Sequence, residues 1–277
     1  MTKTWLITGA SRGLGRALAE AVLAAGDRLV ATARDPRALE DLAQRHGDAV
    51  RLAGLDVSDP AAAESAVALA AQAFGRLDVV VNNAGYGDVG SVEDTSLDDF
   101  RRQIETNLFG TIIVTKAAIP LMRRQGSGHV IQLSSVGGRI GAPGRAPYSA
   151  AKWGVEGFSE SLALEMALVG VRVTIVEPGG FRTDFAGAST TLSAGRAEYD
   201  AVVGATARRQ AAYDGTQPGD PARAAQAILA IAAMDEPPLR IALGSDAVGI
   251  IRDTDQRRLA QLEHWRDLSV STDFPAQ

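Results

Sequence analysis

"TWLITGASRGLG", residues 4–15, packs an apolar run, a glycine-rich turn and the start of a helical pattern into one short stretch. Thr4 to Ile7 reads as a buried strand, and the amphipathic segment from Arg16 to Ala25 follows as a helix. Gly9, Gly13 and Gly15 occupy the turn between them. Glycine permits positive φ and lets backbone approach a ligand closely, while the helix N-terminus offers unpaired N–H groups and partial positive charge. Alone, such a turn also serves simply to pack a helix on a strand, so its surroundings decide the reading.

Those surroundings repeat the same unit. "RLVATA", "VRLAGLDV", "LDVVVNNAG", "GHVIQLSS" and "VRVTIVEPG" are dense in Val, Ile and Leu, as parallel strands covered on both faces are. Amphipathic stretches from Pro60 to Phe74 and from Phe100 to Arg124 lie between them. "DPRALEDLA" and "DPAAAESAV" each set Asp before Pro, an N-cap followed by the favoured first helical position. The order predicts an α/β fold: a single doubly wound parallel sheet of about seven strands with helices on both faces, in one domain spanning residues 1–277. Patterning loosens over about 185–219, few large residues appearing there, and a long unpatterned segment inside a domain suggests a lid over a site. A helix restarts at "DPARAAQAILAIAA", "LRIAL" reads as a last strand, and "TDQRRLAQLEHWRDL" as a terminal helix within a C-terminal extension at about 245–277.

Composition excludes several classes. The formal net charge of -5 over 277 residues offers no matched surface for nucleic acid or anionic lipid. There is no cysteine for disulfides or thiolate chemistry, and His46, His129 and His264 are scattered, so no metal is expected. The first strand begins almost at Met1 and no apolar run approaches the roughly 20 residues that span a bilayer. The expectation is a soluble cytoplasmic protein with a small-molecule substrate.

With strand, helix and second strand in place, the glycine turn becomes a dinucleotide site formed by Gly9, Ser11, Arg12, Gly13, Leu14 and Gly15. The second strand should end beside the adenosine ribose, where an acid selects NAD and a base accepts the 2′-phosphate of NADP. It ends at Ala33 and is followed by Arg34; Asp35 precedes Pro36 and is better explained as a helix cap. Arg12 and Arg34 suit a phosphate dianion, so NADP(H) is expected in preference to NAD(H). The alternative is that both are solvated surface arginines.

The sequence resembles the short-chain dehydrogenase/reductase family over roughly residues 4–185. In order stand "TGASRGLG", "LDV" at 55–57, "NNAG" at 82–85, Asn107 in "TNLFG", Ser135 in "LSSVGG", Tyr148 and Lys152 in "YSAAK", and "PGGFRT" at 178–183. "ATARDP" with "YSAAKWGVEGFSESL" is most similar to the 17-beta-hydroxysteroid dehydrogenase-like and retinol dehydrogenase-like branch. The resemblance implies that Asp56 and Val57 meet the adenine, and that Asn83, Ala84 and Gly85 line the adenosine side. It places Thr106 and Asn107 beside the nicotinamide ribose, and Pro178, Gly179, Gly180, Phe181 and Thr183 at the carboxamide end. Each has a plainer alternative: Asp56 caps a turn, and "NNAG" stabilises the central sheet.

The resemblance also gives the pair in "YSAAK" a meaning. A phenol with pKa near 10 exchanges protons poorly at pH 7. An ammonium about 4 Å away, at an effective dielectric of about 20, favours phenolate by on the order of 4 kcal/mol before desolvation opposes it. Tyr148 would then pass a proton to and from a substrate oxygen while hydride moves to or from a nicotinamide. Lys152 would tune it and hold the ribose, Ser135 would hydrogen-bond the same oxygen, and Asn107 would hold a water in a proton relay. The implied activity is an NADP(H)-dependent oxidoreductase interconverting a ketone or aldehyde and an alcohol.

Tyr86, the stretch 136–141 and the stretch 181–185 are expected walls of a fairly apolar pocket, with Tyr199 and Tyr213 on the lid. Arg139 and Arg182 are the cations expected within reach of a charged substrate. The family pairs helices corresponding to about 99–125 and 148–169, which implies a homodimer or homotetramer; a monomer is the alternative. Two rival functions stay open: a non-catalytic NADP(H)-binding sensor on the same fold, and an epimerase or dehydratase, disfavoured because only about 90 residues follow "PGGFRT".

Overall fold

The apolar runs of the sequence become the strands of one sheet: β1 Thr4–Ile7, β2 Arg28–Ala33, β3 Val50–Gly54, β4 Val79–Asn82, β5 Gly128–Leu133, β6 Val171–Pro178 and β7 Arg240–Leu243. The structure, a computed structural model, describes residues 2–274 apart from 186, 188, 189 and 194. All neighbours pair in parallel, in the order β3-β2-β1-β4-β5-β6-β7. The chain therefore builds outward from β1 in one direction, then returns and builds outward in the other. Between β1 and β4 the order reverses, and the carboxyl ends of these strands open the crevice where ligands of such sheets bind.

The helices are α1 Gly13–Ala24, α2 Glu40–His46, α3 Pro60–Phe74, α4 Leu97–Ile104, α5 Gly110–Gln125, α6 Ala146–Ala167, α7 Ala205–Tyr213, α8 Pro221–Ala233, α9 Ser245–His264 and α10 Arg266–Val270. Alternation along β1 divides the core in two. Trp5 and Ile7 point to the layer of α1 and α8, packing with Leu18, Val22 and Ile228. Leu6 points the other way, toward α3, α5 and α6, with Val67, Val114 and Leu162. The predicted doubly wound α/β architecture is thus the observed one.

Asp59 accepts from the N–H groups of Ala61 and Ala62 with Pro60 in the first turn of α3, and Asp220 accepts from Ala222 N at the start of α8. Three segments differ from expectation. The amphipathic stretch from Phe100 to Arg124 is broken by a π turn over Glu105–Phe109, because one extra residue per turn shifts the backbone without disturbing the apolar spacing on either side. The loosely patterned stretch contains α7, whose only fully buried residue is Ala207, too small to mark an apolar stripe. The terminal helix starts at Ser245 rather than Thr254: in its first turn Asp246 accepts from Gly180 N at 2.7 Å and only the small Ala247 is buried, so no apolar stripe marks the start.

Candidate active site

The glycine turn is shaped by β4. Gly9 has φ +66° and Gly13 φ +58°, conformations that favour glycine. Asn83 Nδ2 donates to the carbonyls of Thr8 at 2.9 Å and Gly9 at 3.1 Å, while Thr8 Oγ1 accepts from the N–H groups of Asn83 and Ala84. A Cβ at Gly15 would collide with the Gly9 carbonyl and the Asn83 amide, so the first turn of α1 lies directly on the loop. Arg12, the N-cap residue of α1, makes no side-chain cap bond. The first N–H groups of the helix border a cleft of about 1140 Å3 that also takes in Ser11, Arg12 and Leu14.

At the end of the cleft expected to take adenosine, Arg34 and Arg12 are exposed, and neither side chain has a hydrogen bond or an ion pair among the described residues. Asp35 is already committed, accepting from Arg37 N and pairing with the Arg37 guanidinium at 2.7 Å, as its reading as a cap predicted. Asp56 Oδ1 accepts from Ser58 Oγ at 2.7 Å and Ser58 N at 3.0 Å, bonds that hold its carboxyl below the usual range. It therefore caps the turn and lines the cleft at once. "NNAG" also has its plainer role: buried Asn82 donates to Thr115 Oγ1 and Gln132 Oε1, tying β4 to α5 and β5.

Tyr148 sits in the first turn of α6 behind Pro147, and Lys152 stands one turn further along. Both are buried. Lys152 Nζ donates to the Leu133 carbonyl at 2.6 Å and lies 5.9 Å from the centre of the Tyr148 ring. Ser135, extended at the end of β5, accepts from Gly137 N at 3.0 Å. A Cβ on Gly137 would stand 2.8 Å from Tyr148 Cε1 and 3.6 Å from Ser135 Oγ, which measures how tightly these two side chains share one space. Asn107, carried by the π turn, is buried: its Oδ1 accepts from Tyr86 N at 3.0 Å and its Nδ2 donates to the Tyr86 carbonyl at 2.7 Å. It fixes the segment that follows "NNAG".

Among the predicted site residues, all but Gly15 and Asn107 line this one cleft; those two lie just beneath it. Val57, Ala84, Gly85 and Thr106 border its middle. Pro178 to Phe181 and Thr183 close it from the end of β6, held by Gly179 N on the Leu243 carbonyl and by Asp246 on Gly180. Thr183 comes back over Gly13.

Electrostatics add a residue to the expected set. Burial raises the Tyr148 phenol above its ordinary range; the neighbouring Ser135 hydroxyl and the charge of Arg145 oppose that rise. Burial lowers the Lys152 ammonium to about 8, with Glu156 opposing. Arg145, which sequence reading did not name, thus joins Lys152 as a cation close to the phenol.

Arg145 is half-buried on the cleft wall, donating to the Gly87 carbonyl at 3.0 Å and to Gln210 Oε1 on α7 at 2.7 Å. Its sequence signals were its place three residues before Tyr148 and its cationic charge at a helix N-terminus, where the macrodipole disfavours it. The arginines that were named do other work. Arg139 pairs with Glu177 at 2.9 Å and Asp255 at 2.6 Å, and Arg182 donates to the Gln217 carbonyl. The stretch 136–141 stays outside the cleft, turning away from it into those pairs. Tyr213 lines the cleft with Tyr86 and Phe185, whereas Tyr199 donates to Glu93 Oε2 at 2.6 Å. No helix of the described residues is long and apolar enough to cross a membrane.

A family model described as "short chain dehydrogenase" matches residues 3–192. "Oxidoreductase BOA17" of Botryotinia fuckeliana is 46% identical over 273 residues, 98% of this chain and 100% of the relative. The crystal structure of a short-chain dehydrogenase from Streptomyces avermitilis superposes with TM-score 0.91 at 42% identity, covering 99% of this chain and 100% of that one. An alcohol dehydrogenase from the archaeon Thermococcus sibiricus, complexed with 5-hydroxy-NADP, superposes with TM-score 0.73 at 28% identity over 88% of this chain and 96% of that one. A family match over most of the chain, joined to a seven-stranded sheet of this order and an ordered set of motifs around one crevice, makes this chain a member of the short-chain dehydrogenase/reductase family of oxidoreductases.

Proposed function

We propose that the protein is an NADP(H)-dependent oxidoreductase that interconverts a ketone or aldehyde and an alcohol, with Tyr148 as the proton donor and acceptor. One observation carries the reading: a single cleft runs from two unpaired guanidiniums, past a helix N-terminus whose N-cap residue makes no side-chain cap bond, to Tyr148, Ser135 and Lys152. The cradle fits a dinucleotide phosphate chain, because no side chain larger than glycine is accommodated where the loop meets α1 and Asn83. Arg12 and Arg34 have donors to spare for a 2′-phosphate, and the competing carboxylate of Asp35 is neutralised by Arg37. When bound, the nicotinamide supplies hydride transfer at the substrate carbon.

The chain's own residues would do the rest. Ser135 positions the substrate oxygen, and Tyr148 gives it a proton in reduction or takes one in oxidation. Lys152, held on the Leu133 carbonyl, presents its remaining protons toward the cleft. Asn107 keeps the Tyr86 backbone in place beside them. The segment 185–219, of which 186, 188, 189 and 194 lie outside the described residues, would act as a lid: Thr191, Gln210, Tyr213 and Gln217 line the cleft, and Asp88 Oδ1 accepts from Thr191 N at 2.8 Å. The working assembly is a homodimer or homotetramer joined through α5 and α6.

A panel of ketones and aldehydes assayed by NADPH absorbance tests the reaction. Turnover is expected with NADPH over NADH, and replacing Arg12 and Arg34 together by Ala should lower that preference about ten- to a hundred-fold, the worth of one or two charge-assisted hydrogen bonds. A wild-type preference for NADH would refute the assignment of these arginines.

A further inference from the structure

The substrate end of the cleft holds a cation that neither gives nor takes the proton in the proposed transfer. Arg145 lies between the Gly87 backbone and α7, and a Cβ placed on Gly87 would stand 3.2 Å from Arg145 Nη1 and 2.8 Å from Tyr148 Cδ2. Guanidinium and phenol ring therefore flank the same patch of backbone. Both hydrogen-bond partners of Arg145 among the described residues, the Gly87 carbonyl and Gln210 Oε1, are neutral. No carboxylate of the described residues is within ion-pairing distance of it, whereas Arg139, outside the cleft, has two. Asp88 acts on Arg145 only through space, and its Oδ1 is engaged by Thr191 N.

A half-buried guanidinium bearing only neutral acceptors has lost hydration without gaining a counter-ion. Its fork leaves N–H groups suited to a carboxylate, which accepts two parallel bonds and supplies the missing charge. A neutral ester or amide supplies one acceptor and no charge.

Building on the oxidoreductase reading above, we infer that Arg145 anchors a carboxylate of the substrate, so that the carbonyl compound is an oxo acid and its alcohol a hydroxy acid. The carbonyl oxygen meets Tyr148 and Ser135 while the carboxylate meets Arg145. This replaces the fairly apolar pocket expected from sequence.

Two measurements test it. In thermal shift with saturating NADPH, benzoate should raise the Tm of the wild type and isosteric benzamide should not. Arg145→Gln should lose the benzoate effect while keeping the NADPH effect, and Arg145→Lys should keep part of it. Equal shifts by benzoate and benzamide, or a benzoate shift unchanged in Arg145→Gln, would overturn the inference. This arm needs no turnover, so a benzoate effect in a protein that reduces nothing leaves the anion site standing and removes only the oxidoreductase reading. In steady-state assays, phenylglyoxylate and 4-oxo-4-phenylbutanoate are compared with their methyl esters. The acid-to-ester ratio of kcat/KM should favour at least one acid in the wild type and fall at least tenfold in Arg145→Gln, chiefly through KM. Equal loss on acids and esters with a displaced pH profile would leave Arg145 only its effect on Tyr148, and would also overturn the inference.

Discussion

Lys152 folds at a cost. Burial holds its ammonium at about 8, against an ordinary value of 10.5. The unfolded chain keeps that proton up to the ordinary value, so between these two pH values it binds more protons than the folded chain does, and stability rises with pH across that window. Below about 8 the penalty is present in full, on the order of 3 kcal/mol at about 1.4 kcal/mol per pH unit. Lys152→Met removes the charge but leaves the Leu133 carbonyl unpaired, which returns about 1 kcal/mol. Urea denaturation at pH 7 should therefore show the variant about 2 kcal/mol more stable than the wild type, with the gain shrinking toward pH 10, while turnover is lost. A less stable variant at pH 7 would contradict this. The buried phenol of Tyr148 follows the same logic: its rise by burial keeps it protonated, which suits a donor in carbonyl reduction.

Among the elements, α6 does two jobs. Its inner face carries Tyr148 and Lys152, and its outer face presents Gly157, Ser161 and Leu164, continued by Leu168 at the C-cap, at spacings of three or four residues. Leu164 is 79% and Leu168 87% exposed, and a Cβ at Gly157 would meet nothing within 4 Å. Such a stripe fits close approach of a second helix. Light scattering of the wild type should give at least twice the mass of one chain, and Leu164→Glu with Leu168→Glu should shift it toward one; a monomeric wild type would refute the pairing. Elements of this chain were legible in sequence where a strong local signal existed. Parallel strands buried on both faces leave unbroken apolar runs, and Asp-Pro pairs announce helix starts. The π turn was hidden because it changes backbone bonding without changing side-chain type. The start of α9 was hidden because no apolar stripe marks it. Arg145 was hidden because it looks like any arginine beside a helix until α7 closes over it.

At the scale of the whole molecule, the reversal of strand order between β1 and β4 gathers residues from distant parts of the chain into one crevice. The glycine turn comes from the first strand, Ser135 from the fifth, and Tyr148 from the helix that follows it. Their convergence was foreseeable from the ordered motifs. A covering segment at 185–219 was expected too, but its lining residues Thr191, Gln210 and Gln217 were not, since a weakly patterned segment says little about which side chains it presents. The reading of the molecule rests on Tyr148 as the proton carrier beside a bound dinucleotide. The most direct measurement is kcat of Tyr148→Phe on a carbonyl that the wild type reduces, taken together with its Kd for NADPH. The expected result is a loss in kcat of about a hundred- to ten-thousand-fold, the worth of a positioned general acid, with NADPH binding nearly unchanged. A wild-type kcat in that variant would contradict the account.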